Sequence, residues 1–123
     1  MQDQQNTFHD FQLDLGRITI KGEPTATTLD FVRSMKDAVA TFDAKQKDYG
    51  SGNIAKFGLD GVLIRMSDKI ERLIHLRNQK TDPVNESVKD SYLDLSIYGI
   101  IALMCLDGVW KGVEEGGQPS PRD

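Results

Sequence analysis

An all-α fold, a small helical bundle of three main helices, follows from three features of this 123-residue chain. Apolar residues recur at helical spacing in three separate stretches. Polar segments carrying Gly, Asn or Pro punctuate those stretches. The one strand-like run is Arg17-Ile-Thr-Ile-Lys21, just before Gly22 and Pro24.

Residues 1–25 read as a short appendage, irregular or with that single strand, in which Phe8, Phe11, Leu13 and Leu15 alternate loosely with polar residues. From Thr28 the period becomes helical: Phe31, Val32, Met35, Ala38, Val39 and Phe42 predict a first helix over about 28–47, with Thr27 or Thr28 as N-cap. Asp48-Tyr-Gly-Ser-Gly-Asn53 ends it, because Gly and Asn tolerate positive φ. A second helix, about 55–79, carries Leu59, Leu63, Met66, Ile70, Leu73 and Leu76 on one side and Asp68, Glu71, Arg72 and His75 on the other. Asn78–Asn85 is a polar turn, with Asp82-Pro83 as cap and first helical residue. The third helix, about 85–111, ends near Gly108 or Gly112. It is apolar nearly all round, with Tyr98 and Trp110 as packing residues, and suits a central position or a subunit interface, hence a homo-oligomer. Residues 26–111 thus form the domain, and 112–123, with paired Gly and two Pro, read as a disordered tail.

The totals remove several classes. A net charge of −4 argues against binding duplex nucleic acid, which needs a basic face to release counterions. No apolar run reaches the ~20 residues of a membrane span, and the first ten residues are too polar for a signal peptide. The single cysteine, Cys105, lies among Leu103, Met104 and Leu106; it cannot form an internal disulfide, suits a reducing cytoplasm, and reads as a small buried hydrophobe.

Three acids carry the chemistry. Glu86, Asp90 and Asp94 stand four residues apart, on one stripe of the third helix. Like charges at that spacing repel by roughly 0.2–0.5 kcal/mol per pair, and Asp94 sits among Leu93, Leu95 and Ile97, where an unpaired carboxylate costs several kcal/mol. A metal ion, or a basic side chain from another helix, must therefore face it. Asp68 and Glu71 on the second helix make a further acidic pair, and such pairs on facing helices are how bundles build Mg²⁺ sites. Paired instead with Arg72 and His75, they would be ordinary surface contacts.

Lys45-Gln-Lys47-Asp48-Tyr49-Gly50 gathers cations and an aromatic at a helix end. There Lys45 or Lys47 could meet a phosphate and Tyr49 stack on a base, or the lysines could simply complement the helix dipole. Arg65, Lys69 and Arg72 fall near one face and could clamp phosphate oxygens. Gly50-Ser-Gly52-Asn-Ile-Ala55 fits a loose dinucleotide pattern, but no strand precedes it. His9 and His75 lack companions at metal-ligand spacing.

Four blocks occur in order: Lys45-Gln-Lys-Asp48-Tyr49-Gly50, Phe57-Gly58-Leu59, Arg65-Met-Ser-Asp68-Lys69-Ile-Glu-Arg72-Leu73, and Glu86-Ser-Val-Lys-Asp90-Ser-Tyr-Leu-Asp94-Leu-Ser-Ile-Tyr98. Together, over residues 30–106, they resemble the bacteriophage and bacterial family called nucleotide modification associated domain type one. More distantly, the layout looks like MazG-type all-α nucleoside triphosphate pyrophosphatases, which hold Mg²⁺ with E-x-x-E and E-x-x-D pairs. Here the first pair is Asp68-x-x-Glu71, whereas Ser91 stands three before Asp94 and the acid is Asp90. The resemblance implies Mg²⁺-dependent hydrolysis of a nucleoside triphosphate to monophosphate and pyrophosphate. In that reading Asp68, Asp90 and Asp94 are catalytic and bind metal with Glu71 and Glu86. The nucleotide is bound by Lys45, Lys47, Asp48, Tyr49, Asn53, Arg65, Lys69 and Arg72. The alternatives are a non-catalytic protein that sequesters a nucleotide or nucleotide signal, and a structural subunit whose acids pair with Arg65 or Arg72 across a dimer interface.

Overall fold

A computed structural model of the chain describes residues 22–79, 82–84 and 86–121. The expected strand Arg17–Lys21 and the rest of the segment before Gly22 lie outside the described residues, as does His9. The described residues form four helices, and no strand is found among them: α1 Ala26–Tyr49, α2 Gly52–Ala55, α3 Gly58–Asn78 and α4 Val88–Leu106. The chain divides into two compact units, Met1–Ala40 and Thr41–Asp123, with the boundary inside α1.

In the first unit, Thr25 starts α1. Its Oγ1 accepts from Thr28 N at 3.0 Å, so the cap stands two or three residues before the Thr27 or Thr28 that periodicity suggests. Val32 is buried there.

In the second unit, α1 ends where Gly50 takes φ +67. The expected second helix, about 55–79, is α3, and the one-turn helix α2 precedes it in the stretch expected to be a break. Ser51-to-Lys56 closes one turn, and Gly58 at φ +64 re-aims the chain into α3. A Cβ on Gly58 would collide with the Gly117 carbonyl oxygen, so side chains larger than hydrogen are excluded at that close approach. The start of α4 is set by Ser87, not by Asp82-Pro83. Ser87 Oγ accepts from Asp90 N at 3.0 Å, and Asp90 Oδ2 accepts from Ser87 N at 3.3 Å, a reciprocal capping box. The far end closes at Gly108, φ +69. Gly108 N donates to Cys105 O at 3.1 Å and Val109 N to Met104 O at 3.0 Å, a Schellman motif. The helix therefore stops at Leu106, short of 111, and Trp110 lies beyond it.

Residues 107–121 are built into the domain, contrary to the disordered tail expected from Gly112. Val113 bridges Pro119, Glu114 N donates to Gln118 O at 2.8 Å, and Leu59 N donates to Gly117 O at 2.8 Å. Val113 and Trp110 are each only 4% exposed. The Trp110 ring meets Phe42 edge-on, centroids 6.0 Å apart, and its Nε1 donates to Ser51 O at 3.0 Å. With Ile54, Val62, Ile97, Ile101 and the fully buried Cys105, these residues form the core. Burial pushes the Cys105 thiol above its usual pKa, in keeping with a packing role.

Candidate functional site

Charged side chains join the C-terminal half of α3 to the start of α4. Arg65, Lys69 and Arg72 lie on one face of α3 by their i, i+4, i+7 spacing. Arg72 donates through Nη1 to Ser91 Oγ and through Nη2 to the Glu86 carbonyl oxygen. Ser91 is completely buried, so the hydroxyl is satisfied by the guanidinium. Lys69 Nζ reaches Glu86 Oε1 and Oε2 at 3.2 and 3.3 Å and Asp94 Oδ2 at 3.0 Å. Lys45, from α1, takes the other oxygen, Oδ1, at 2.9 Å. Asp94 is thus held between two ammonium groups, its side chain 13% exposed.

Burial alone would push the Asp94 carboxyl up. The hydrogen bonds and charges of Lys45 and Lys69 outweigh it and hold the group below the usual carboxylate range. For Lys69, burial pulls downward and its bonds to Asp94 and Glu86 prevail, so its pKa is raised. The sequence demanded a positive partner for Asp94, and basic side chains from two other helices supply it.

Beside this bridge opens a cleft of about 430 Å³. Phe42, Lys45, Gln46 and Tyr49 line it from α1; Asp94, Ile97, Tyr98 and Ile101 line it from α4. Asn53, Ile54 and Arg65 complete the wall. Arg65 Nη2 contacts Asn53 O at 3.4 Å, tying the α2 turn to α3. A second hollow, of about 400 Å³, is lined by Thr41, Lys45, Glu86, Asp90, Leu93 and Asp94. The Lys45–Asp94 bridge is common to both.

Of the residues singled out from the sequence, Lys45, Tyr49, Asn53, Arg65 and Asp94 come together in the cleft, and Glu86, Asp90 and Asp94 meet at the second hollow. Others do not join them. Lys47 is exposed and paired with Asp43 at 2.8 Å, which raises its pKa. Asp48, Asp68 and Glu71 are exposed. Lys69 and Arg72 line neither hollow and spend their donors on α4 and the segment before it. Gln46 and two of the isoleucines escaped the sequence reading, and Phe42, Ile97 and Tyr98 were read there as packing residues, not site residues. Their signal was present: Phe42, Lys45, Gln46 and Tyr49 repeat the i, i+3, i+4, i+7 spacing of Asp94, Ile97, Tyr98 and Ile101.

A Mg²⁺ cage is not ready-made here. Both Asp94 oxygens and both Glu86 oxygens face lysine, one Asp90 oxygen caps α4, and among the described residues no group of three or more His, Cys, Asp or Glu could hold a metal ion. These residues do not fit a resident cation as they stand.

The described residues thus form a helical domain with a cation- and aromatic-lined cleft, and no described helix is long and apolar enough to cross a membrane. The model of the family nucleotide modification associated domain 1 matches residues 45–106, half of the chain, and the chain belongs to that family. The matched stretch opens at Lys45 and closes at Leu106, the last residue of α4, so it covers the bridge and every cleft residue but Phe42. No curated protein and no solved structure matches the chain.

Proposed function

We propose that the cleft between α1 and α4 binds a nucleotide. The carrying observation is the convergence of Lys45 and Arg65, the amides of Gln46 and Asn53, and the rings of Tyr49 and Tyr98 on one space of ligand size. A nucleotide asks for this combination: cations for phosphate, an aromatic face for the base, amides for its edge. Tyr49 is 68% exposed, so its ring is free to close over a base. Asp94 retains Lys69 when Lys45 turns to a phosphate, so the exchange strands no carboxylate. The setting consistent with the family is phage or bacterial nucleotide metabolism in the cytoplasm, with the protein sequestering or escorting its ligand.

Mg²⁺-dependent hydrolysis of a nucleoside triphosphate to monophosphate and pyrophosphate is the second reading, favoured by the meeting of Glu86, Asp90 and Asp94 at one hollow. It requires those acids to give up their present partners. Calorimetric titration with each dNTP, with and without Mg²⁺, followed by chromatography of the mixture, separates the two. Binding should appear without turnover, and Arg65→Ala should weaken it at least tenfold. Stoichiometric release of pyrophosphate would establish the second reading, and the absence of both heat and products would end both.

A further inference from the structure

The charges at the cleft nearly cancel. Lys45 and Lys69 face Glu86 and Asp94, two cations against two carboxylates in one cluster. Arg65 supplies the excess positive charge. It is half-buried in the cleft wall, its guanidinium contacts the Asn53 carbonyl oxygen, and among the described residues no carboxylate pairs with it. Asp94 stands in the same wall, and its depressed pKa keeps it ionised there. The other cations near this end are committed elsewhere: Lys47 to Asp43, Arg72 to Ser91 and the Glu86 carbonyl.

We propose that the cleft selects a nucleoside carrying a single phosphate, and that Asp94 is the residue that sets this limit. A phosphate monoester carries about −1.5 to −2 at pH 7. Lys45 and Arg65 together match that charge, while Lys69 stays on Asp94. A triphosphate carries roughly −4, since each inner phosphate adds one ionised oxygen, and about half of that would find no cation in the wall. The unmatched charge would lie beside the Asp94 carboxylate and the buried Ile54, Ile97 and Ile101, where like charges are poorly screened. A nucleoside with no phosphate fails for the opposite reason, because it gives Arg65 no anion to meet. The amides and aromatic rings of the cleft do not alter this balance, so the selection acts on phosphate number and leaves the choice of base to them.

This selectivity rests on the nucleotide reading of the cleft, and the two can fail separately. Calorimetric titration of the full chain, with EDTA present and no Mg²⁺, compares the nucleoside, the monophosphate and the triphosphate of each common base. For the preferred base, the monophosphate should bind at least tenfold more tightly than either of the others. Asp94→Asn, shown by circular dichroism to be folded, should gain triphosphate affinity and shrink the monophosphate preference at least fivefold. A triphosphate that binds the wild type as tightly as the monophosphate overturns the one-phosphate limit and leaves the nucleotide reading standing. Heat from none of the compounds overturns both. An unchanged preference in folded Asp94→Asn overturns the role given to that carboxylate.

Discussion

The two ends of the α3–α4 hairpin are closed by different physics. At one end, Lys69, Arg72 and Lys45 reach the carboxylates and carbonyl of Glu86 and Asp94 and the Ser91 hydroxyl, so closure depends on side-chain charge. At the other, the 107–121 segment folds back on backbone hydrogen bonds, with Leu59 N to Gly117 O and Gly116 N to Leu106 O, so closure depends on glycines that admit positive φ. The charged end titrates and can exchange partners with a ligand; the glycine end can do neither. The cleft runs from Lys45 and Asp94 at the exchangeable end along α4 toward Asn53, Ile54 and Ile101.

The glycine end should be the more fragile to a single methyl. Gly58→Ala puts a Cβ into the Gly117 carbonyl and forces an L-residue to φ +64. A loss of more than 3 kcal/mol is expected, from overpacking and backbone strain together. Denaturant unfolding should show that loss to be the same from about pH 4 to pH 9, and a loss that varied with pH would blur the contrast between the two ends.

At the charged end, Arg72→Met should cost about 2–3 kcal/mol, because the buried Ser91 hydroxyl and the Glu86 carbonyl both lose their donor. Asp94→Asn should cost less, about 1–2 kcal/mol, since Lys45 is half exposed and Lys69 keeps Glu86. The pH dependence carries the sign. The depressed pKa of Asp94 contributes stability above the unfolded carboxylate value of about 3.9, lost as pH falls through the folded value. The raised pKa of Lys69 contributes below the unfolded lysine value of about 10.4, lost as pH rises through the folded value. The melting-temperature gap between wild type and Asp94→Asn should therefore be flat near neutrality and close on the acid side. A gap that widened in acid would refute the two-lysine clamp.

This contrast also explains what could be read from the chain. The three helices, the isolated Asp94 and its need for a cation follow from residue type and period, and all are found. The sequence left that partner open between a metal ion and a basic side chain, because spacing along one helix cannot say which side chain from another helix arrives first. Ser91 shows it well: an apparent gap in an acidic pattern is a buried hydroxyl receiving Arg72. The built form of residues 107–121 escaped notice because its bonds are largely backbone bonds, and Gly-Gly-Gln-Pro composition looks the same in a built turn as in a loose tail.

The smallest effect separates two lysines two residues apart. Lys45 and Lys47 lie about 200° apart around α1, so only the first reaches Asp94; the second pairs with Asp43, both side chains well over half exposed. Lys47→Ala should leave the melting temperature essentially unmoved and nucleotide affinity unchanged. Lys45→Ala should be nearly as mild in stability, because Lys69 still neutralises Asp94, yet should weaken nucleotide binding severalfold. Parallel melts and titrations of the two variants check this. Equal loss of affinity in both would mean that the cations act through the general field around α1, with no phosphate seated at the bridge.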